Sequence, residues 1–230
     1  MYPENTLLSF ERASAVNGLE GIELDIQLTK DGRMIVIHDE RVDRTTNGSG
    51  YVKDYTLTAL KKLKIDAGEK PAQSIPTIEE VFDLLEGRLK EGMKLNIELK
   101  NSVYPYPGME EKIVELVHKR GFERAVVYST FYAKSLGRLR EVESAVELGI
   151  LDLKASDCLY KLRGGCGAAV LHPYWQGMDL PADALKGYTV RAWFSGHLYP
   201  EKPTGAELDL LTLEKKGITD VFLNEPERYL

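Results

Sequence analysis

Apolar and polar residues follow one rhythm after residue 76 and a less regular one before it. From Thr77 onward, stretches with helical spacing alternate with short apolar runs, which predicts a parallel sheet whose strands are joined by helices. In chain order we predict helix 78–89, strand 95–99, helix 110–120, strand 125–128, helix 131–142, strand 145–150, helix 154–163, strands 168–171 and 189–193, helix 205–216 and strand 220–223. This alternation is typical of the α/β class.

The chain opens on a predicted helix and not on a strand. Asn5 or Thr6 can cap this helix, whose apolar residues recur from Leu7 to Val16, and Gly18 can end it. A strand follows at residues 20–26. We therefore count seven strands of this kind, whereas a closed (β/α)8 barrel has eight. We expect a TIM-type barrel that lacks its first strand at the N-terminus.

Residues 27–76 interrupt the regular pattern. This section is irregular and rich in Thr, Asn, Gly, Lys and Asp, so we interpret it as a small insertion after the second strand of the barrel. The 230 residues suffice for one large core. We expect a single domain over residues 1–230, with the insertion inside it.

Two apolar runs flank Asp31-Gly32, and an Asp-Gly pair in this position is a strong hairpin signal. A two-residue loop there would place Asp25 directly opposite His38. Glu23 lies on the same face as Asp25 because side chains alternate along a strand. The hairpin is therefore predicted to gather two carboxylates and an imidazole.

The strand at 95–99 leads into a second polar pair, Glu98 and Lys100, at the end where barrel enzymes place their chemistry. Together, Glu23, Asp25 and Glu98 would supply hard oxygen ligands suited to Ca²⁺ or Mg²⁺. Lys100 could hold an anionic oxygen, and His38 could transfer a proton. A divalent cation beside a lysine and a histidine indicates phosphoester chemistry.

Each signal has a simpler explanation when taken alone. A Glu-x-Asp pair on a strand is more often a solvated face, a lone histidine is more often structural, and Glu98 can simply pair with Lys100. All of these residues lie at strand ends, however. Burying several charges there is costly unless they are paired or bind a ligand, and we therefore favour a site.

Composition narrows the classes of partner. The net charge is −6 and no dense cluster of lysine or arginine occurs, which argues against nucleic acid and favours a small molecule. No apolar run approaches the roughly 20 residues of a membrane span. Cys158 and Cys166 fit a reduced compartment, or one disulfide in an exported protein. Of these we expect a cytoplasmic protein, and no pattern indicates its oligomeric state.

Short motifs recur in a fixed order along nearly the whole chain. They are Pro3-Glu4-Asn5-Thr6 with Ser9-Phe10, Ile22 to Asp25, Thr29 to Gly32, His38-Asp39, Asp43 to Gly50, Ile75 to Glu80, Asn96 to Lys100, Tyr106-Pro107-Gly108, and Asn224 with Pro226. In this order and spacing they resemble the motifs of the glycerophosphodiester phosphodiesterases. That family has a TIM-barrel fold with a small insertion after the second strand.

The resemblance also implies an activity and its residues. The reaction would be metal-dependent hydrolysis of a glycerophosphodiester to sn-glycerol 3-phosphate and an alcohol, with Ca²⁺ or Mg²⁺ as cofactor. Glu23, Asp25 and Glu98 fall on the family's metal ligands. His38 falls on one of its two catalytic histidines, and Lys100 on a contact to the substrate phosphate.

Three further residues are assigned to substrate binding on the same ground. Glu4 falls on a residue near the family's active site, Trp193 resembles a tryptophan that lines its substrate pocket, and His172 lies at another strand end that resembles one in the family. His118, late in a predicted helix, is instead expected to complement the charge at the helix C-terminus.

Two departures from the family pattern leave alternatives open. The family's first strand ends in His-Arg-Gly, which supplies the second catalytic histidine, and only Met1 and Tyr2 precede Pro3 here. Phe194 to His197 replaces a usual Thr-Val-Asn run, and His197 is expected to face solvent, not to replace the histidine.

Three hypotheses follow from these departures. The sequence could be an enzyme truncated at its N-terminus, or a barrel that binds glycerophosphodiesters without efficient turnover. A relative acting on lysophospholipids is a third, which a long apolar loop rim would favour. The sequence shows no such rim.

Overall fold

The computed structural model describes residues 2–194 and 208–230. The chain divides into two compact units, one that runs up to Tyr128 and includes Tyr229–Leu230, and another that spans Ser129–Arg228. The single domain expected over residues 1–230 remains a prediction. Among the described helices, none is long and apolar enough to cross a membrane.

The first unit holds one edge of the sheet and the inserted section. Its elements are α1 (Leu7–Ser14), β1 (Gly21–Leu28), β2 (Met34–Val36), a 3-10 helix (Val52–Asp54), α2 (Leu57–Leu60), α3 (Ile78–Lys90), β3 (Lys94–Leu99), α4 (Met109–Arg120) and the start of β4 (Val126–Thr130). The strand order is β2-β1-β3-β4. β1 pairs with β2 in antiparallel and with β3 in parallel orientation.

The second unit continues the alternation of helices and strands. Its elements are α5 (Ala133–Val142), β5 (Glu147–Asp152), α6 (Ala155–Arg163), β6 (Val170–Pro173), a 3-10 helix (Trp175–Gly177), α7 (Ala182–Leu185), β7 (Thr189–Ala192), α8 (Leu210–Lys215), β8 (Asp220–Val221) and a 3-10 helix (Pro226–Arg228). Strands β5 to β8 are neighbours in sequence order and all parallel. The predicted α/β class is confirmed.

Side-chain caps explain where α1 and α3 begin. Thr6 caps α1, since its hydroxyl accepts from the Ser9 amide while the Ser9 hydroxyl accepts from the Thr6 amide, both at 3.2 Å. Thr77 and Glu80 form the same reciprocal arrangement at the start of α3. Of the two candidate caps of the first helix, Thr6 is the one used. The side chain of Asn5 therefore does not cap the helix and can bind elsewhere.

The inserted section has an apolar core of its own. Its buried side chains, including one from β2, are Ile35, Ile37, Val42, Val52, Leu60, Ile65 and Ile75. Burying a side chain of this size contributes about 1.5–3 kcal/mol, so a section with little regular structure still packs firmly. The amide of Val36 donates to the carbonyl of Pro76 at 2.8 Å and ties the section's end to β2.

The loop between β1 and β2 is one residue longer than predicted. Leu28 pairs with Met34, and the amide of Thr29 donates to the carbonyl of Arg33 at 2.9 Å, which leaves a three-residue loop. Gly32 takes a φ of 71° within it. A glycine adopts this left-handed conformation at little cost, and it closes a three-residue hairpin loop as readily as a two-residue one.

The extra loop residue moves the register, and the predicted pairing of Asp25 with His38 is wrong. Ile26 pairs with Val36, so Asp25 lies opposite Ile37, whose amide donates to the Asp25 carbonyl at 3.0 Å. β2 ends at Val36, and His38 lies beyond it. Sheet pairing therefore does not bring His38 to the carboxylates.

Both cysteines are free thiols. Cys158 is buried in the second unit, whereas Cys166 is only partly buried. Burial, and to a smaller extent the nearby Asp152 carboxylate, raises the pKa of the Cys158 thiol to about 12. Cys158 is therefore a packed side chain and an inert thiol at neutral pH.

Candidate active site

Three carboxylates meet where β1 and β3 run side by side. The parallel register pairs Asp25 with Glu98, and Glu23 lies two residues earlier on the same face of β1. One carboxylate oxygen from each of the three lies within 4.8 Å of the others. Asp25 is 4% exposed and Glu98 is 9% exposed. The predicted cluster of Glu23, Asp25 and Glu98 is therefore present and largely buried.

The cluster pays an electrostatic cost for its burial. Burial raises the pKa of Glu23 well above its usual value, and repulsion from Asp25 and Glu98 adds to the shift. Burial also raises the pKa of Glu98. Oδ1 of Asp25 is buried and has no hydrogen-bond partner within residues 2–194 and 208–230. A buried carboxylate oxygen without a hydrogen-bond donor indicates that the site is arranged to bind a cation.

Lys100 supplies one positive charge to the cluster. Its Nζ lies 3.0 Å from Oε1 of Glu98 and 3.9 Å from Oδ1 of Asp25. Burial alone would lower the pKa of Lys100, but the two carboxylates raise it, so the side chain stays an ammonium. One ammonium cannot balance the charge of all three carboxylates, and the pKa values of Glu23 and Glu98 are accordingly raised. A divalent cation would restore the balance, and oxygen donors alone are the ligands that Ca²⁺ and Mg²⁺ prefer.

His38 reaches the cluster from the segment that follows β2. Its Nε2 lies 3.3 Å from Nζ of Lys100, and its Nδ1 lies 2.7 Å from Oδ1 of Asp39. Burial would lower the pKa of His38, but the hydrogen bond to Asp39 and the charge of Asp25 raise it overall. The His38 side chain is 26% exposed. A ligand at the cluster could therefore reach the imidazole.

Arg44 of the inserted section joins His38 to the N-terminal loop. Its guanidinium donates to both carboxylate oxygens of Glu4, at 2.6 and 2.8 Å, and to both of Asp39, at 2.7 and 3.0 Å. Although burial acts against it, hydrogen bonds from His38 and Arg44 hold the pKa of Asp39 well below its usual range. Glu4 thus contacts Arg44, and its predicted role in substrate binding remains a prediction.

Asn5 is a site neighbour that sequence reasoning missed. Its Nδ2 donates to Oδ2 of Asp25 at 2.9 Å, and the amide of Asp25 donates to Oδ1 of Asn5 at 3.4 Å. Asn5 has a φ of 51°, in the left-handed region that asparagine tolerates better than most residues. The sequence held one signal for this contact: Asn5 and Thr6 can both cap α1, and only one of them is needed as the cap. Once Thr6 caps α1, the Asn5 side chain can hold Asp25.

A model of the glycerophosphoryl diester phosphodiesterase family matches residues 1–157. The chain belongs to this family. A glycerophosphodiester phosphodiesterase of Caldanaerobacter subterraneus subsp. tengcongensis is 47% identical over 98% of this chain and 90% of its own length. Another, of Bacillus subtilis, is 35% identical over 99% of this chain and 80% of its own length. The prediction of an enzyme of this family is confirmed.

A solved structure shows the same fold. It is that of a phosphodiesterase of Oleispira antarctica in complex with the product sn-glycerol-3-phosphate, and it is 25% identical to this chain. The TM-score is 0.76, and the alignment covers 99% of this chain and 90% of that one. The predicted fold class, an α/β fold of the TIM-barrel type found in this family, is confirmed.

Two predicted substrate-binding residues of this family member lie in the second unit. Nε1 of Trp193 donates to the carbonyl of His172 at 3.1 Å, and the Trp193 ring lies 4.8 Å from that of Tyr174. Trp193 is partly exposed, whereas His172 is wholly buried. Their substrate roles remain predictions, and the structure gives His172 a packed position. His197 lies outside the described residues.

Proposed function

We propose that this protein hydrolyses glycerophosphodiesters to sn-glycerol 3-phosphate and an alcohol, with a divalent cation, Ca²⁺ or Mg²⁺, held by Glu23, Asp25 and Glu98. The observation that carries the proposal is the buried set of three carboxylates whose oxygens lie within 4.8 Å of one another. Family membership supports the class of substrate. The product named for the Oleispira antarctica enzyme is the glycerol phosphate of the proposed reaction.

The cation, when bound, would act as a Lewis acid toward a phosphoryl oxygen. Lys100 would bind a second phosphoryl oxygen, because its ammonium already lies between Glu98 and the His38 ring. A charged donor held in a buried site stabilises developing negative charge more strongly than it would in water. These residues account for binding and orientation of the phosphodiester.

His38 would transfer the proton. The contact between its Nδ1 and Asp39 fixes the ring, so that Nε2 faces the side where Lys100 lies. Although burial acts against it, the hydrogen bond to Asp39 and the charge of Asp25 raise the pKa of His38, which favours the protonated ring more than in a free histidine. With Lys100 turned to the phosphoryl oxygen, an imidazolium at this position can donate its Nε2 proton to the oxygen of the departing alcohol, while water forms the new bond to phosphorus and gives up a proton to solvent. Glu4, Trp193 and His172 are proposed as substrate contacts on the family resemblance alone.

The test measures release of glycerol 3-phosphate from glycerophosphocholine, glycerophosphoethanolamine and glycerophosphoglycerol by the full chain. We expect turnover with added Ca²⁺ or Mg²⁺ and none after chelation. Glu98→Gln should abolish turnover and weaken cation binding measured by calorimetry. Glu115→Gln, which alters an exposed glutamate of α4, is the matched control and should behave as the wild type.

Turnover that persists after chelation, or in Glu98→Gln, would contradict the proposed metal site. Binding of the cation and of a glycerophosphodiester without release of glycerol 3-phosphate would instead favour the hypothesis of a binding protein on the same fold.

A further inference from the structure

A buried glutamine of β1 holds the segment that carries His38. Gln27 is wholly buried. Its Nε2 donates to three successive main-chain carbonyls, those of Ile37 at 3.1 Å, His38 at 3.1 Å and Asp39 at 2.6 Å. One side-chain amide thus binds the whole turn that presents the imidazole.

Tyr106 completes this arrangement from the loop after β3. Its hydroxyl donates to Oε1 of Gln27 at 3.0 Å, so both ends of the amide are engaged. Tyr106 is buried and has a φ of 42°, in the left-handed region where a bulky side chain is strained. A strained conformation persists when the surrounding contacts determine it, and the hydrogen bond to Gln27 is such a contact.

The turn needs an anchor of this kind because its main chain leaves β1 after Ile37, whose amide still donates to the Asp25 carbonyl at 3.0 Å. β2 itself ends at Val36. Without the Gln27 amide, the buried carbonyl of Ile37 and the part-buried carbonyls of His38 and Asp39 would lose this donor. A buried acceptor without a partner is costly, so the segment would move to find another one.

We propose that Gln27 and Tyr106 are positioning residues for catalysis, and that they fix the turn at residues 37–39 so that the His38 ring is oriented for proton transfer. This inference rests on the proposed function, because it assigns a consequence for turnover. Gln27 lies on the same face of β1 as Glu23 and Asp25. The same face of β1 therefore carries the proposed metal ligands Glu23 and Asp25 and the glutamine that holds the turn of His38.

Two substitutions test the proposal in the full chain. Gln27→Met keeps the length and apolar bulk of the side chain but removes its hydrogen bonds, and Tyr106→Phe removes only the hydroxyl. We expect kcat to fall about 100-fold in Gln27→Met, as for a displacement of about 1 Å. In Tyr106→Phe we expect a fall of about tenfold, the equivalent of one hydrogen bond.

Other readouts separate positioning from a merely structural role. KM and the affinity for Ca²⁺ should change by less than about twofold, since the groups that bind substrate and metal are untouched. The pH profile of kcat should shift, because the contact between His38 and Asp39 is altered. Val81→Ala, which removes buried bulk from α3, is the control for lost stability and should keep the wild-type kcat.

An equal loss of kcat in Val81→Ala, or a wild-type kcat and pH profile in folded Tyr106→Phe, would overturn the proposal. So would loss of Ca²⁺ binding together with kcat, because the amide would then act on the carboxylates. NMR spectra of the His38 ring provide an arm that does not depend on turnover. If the His38 ring signal of both variants is identical to that of the wild type, the inference is overturned even if hydrolysis is confirmed. If the ring signal shifts but the wild-type chain hydrolyses no glycerophosphodiester, only the proposed function is overturned.

Discussion

Acid should destabilise the second unit through His172. The imidazole is wholly buried, its Nε2 lies 3.3 Å from the Arg191 guanidinium, and its ring packs edge-on against Phe222. The ring also lies against Gly149, where an added Cβ would come within 2.4 Å of it. Burial above all, and then Arg191, lower the pKa of His172 to about 3. The fold therefore holds the neutral imidazole.

The size of the effect follows from linkage. The unfolded chain takes up a proton near a pKa of about 6.5, while the folded chain resists protonation down to about 3. The unfolded state thus binds more protons between these values. Stability is fully present above pH 6.5 and is lost as the pH falls toward 3. Each pKa unit is worth about 1.4 kcal/mol, which gives a loss of about 2 kcal/mol between pH 7 and pH 5.

Urea denaturation at pH 7 and pH 5, followed by tryptophan fluorescence, measures this loss. Both tryptophans, Trp175 and Trp193, lie in the second unit, so the signal reports on the part of the chain that contains His172. We expect His172→Gln to lose much less stability than the wild type over this interval. His118→Gln, at an exposed histidine of α4, should keep the full acid sensitivity. Equal losses in the wild type and His172→Gln would refute the reasoning.

Two further predictions concern the surroundings of the carboxylates. Asn5→Gly should keep the left-handed backbone but weaken Ca²⁺ binding about 10- to 100-fold by calorimetry, because Asp25 loses its amide partner. Asn5→Ala should weaken binding in the same way and should also lower the melting temperature, because alanine is strained at this φ. Wild-type Ca²⁺ affinity in Asn5→Gly would contradict this role. Arg44→Met should raise the pKa of His38 in the pH profile of kcat, because it removes a cation beside that ring's carboxylate partner. Arg41→Met, at an exposed arginine paired with another carboxylate, should leave the profile unchanged, and a lowered pKa in Arg44→Met would contradict the prediction.

Sequence patterns predicted the strands and the longer helices to within a few residues, although they missed the short helices α2 and α7, and residues 205–207 of the predicted helix 205–216 lie outside the described residues. The patterns succeeded for the longer elements because apolar periodicity records which face of each element is buried, and that face is set locally. The spacing of Glu23 and Asp25 likewise placed both on one face of β1, as the structure confirms. Glu98 could be added because parallel strands end at the same edge of a sheet.

The hairpin register could not be predicted in the same way. Asp31-Gly32 is compatible with both two- and three-residue loops, and the difference lies in the φ of 71° at Gly32 and in the bond between Thr29 and Arg33. These are properties of the folded loop. A short sequence motif does not determine them.

The contacts of Asn5 and Arg44 were missed for another reason. Asn5 lies 20 residues from Asp25 along the chain, and Arg44 lies 40 residues from Glu4, so their meeting depends on how separate elements pack. Gln27 gave a clearer signal. It continues the polar face of Glu23 and Asp25 in an otherwise apolar strand, and a polar residue at such a position requires a partner.

The wrong register and the correct prediction that His38 lies near the carboxylates are reconciled by the turn after β2. Had sheet pairing alone positioned His38, a shift of one residue would have turned its side chain to the other face of the sheet. The imidazole nevertheless lies 3.3 Å from Lys100. Its position is therefore set by contacts beyond the ladder, those of Gln27 with the main chain and of Asp39 with the ring. Substitutions that leave the sheet intact can therefore still displace His38, the proposed proton donor. The fall in kcat in Gln27→Met and Tyr106→Phe measures the effect of that displacement on proton transfer.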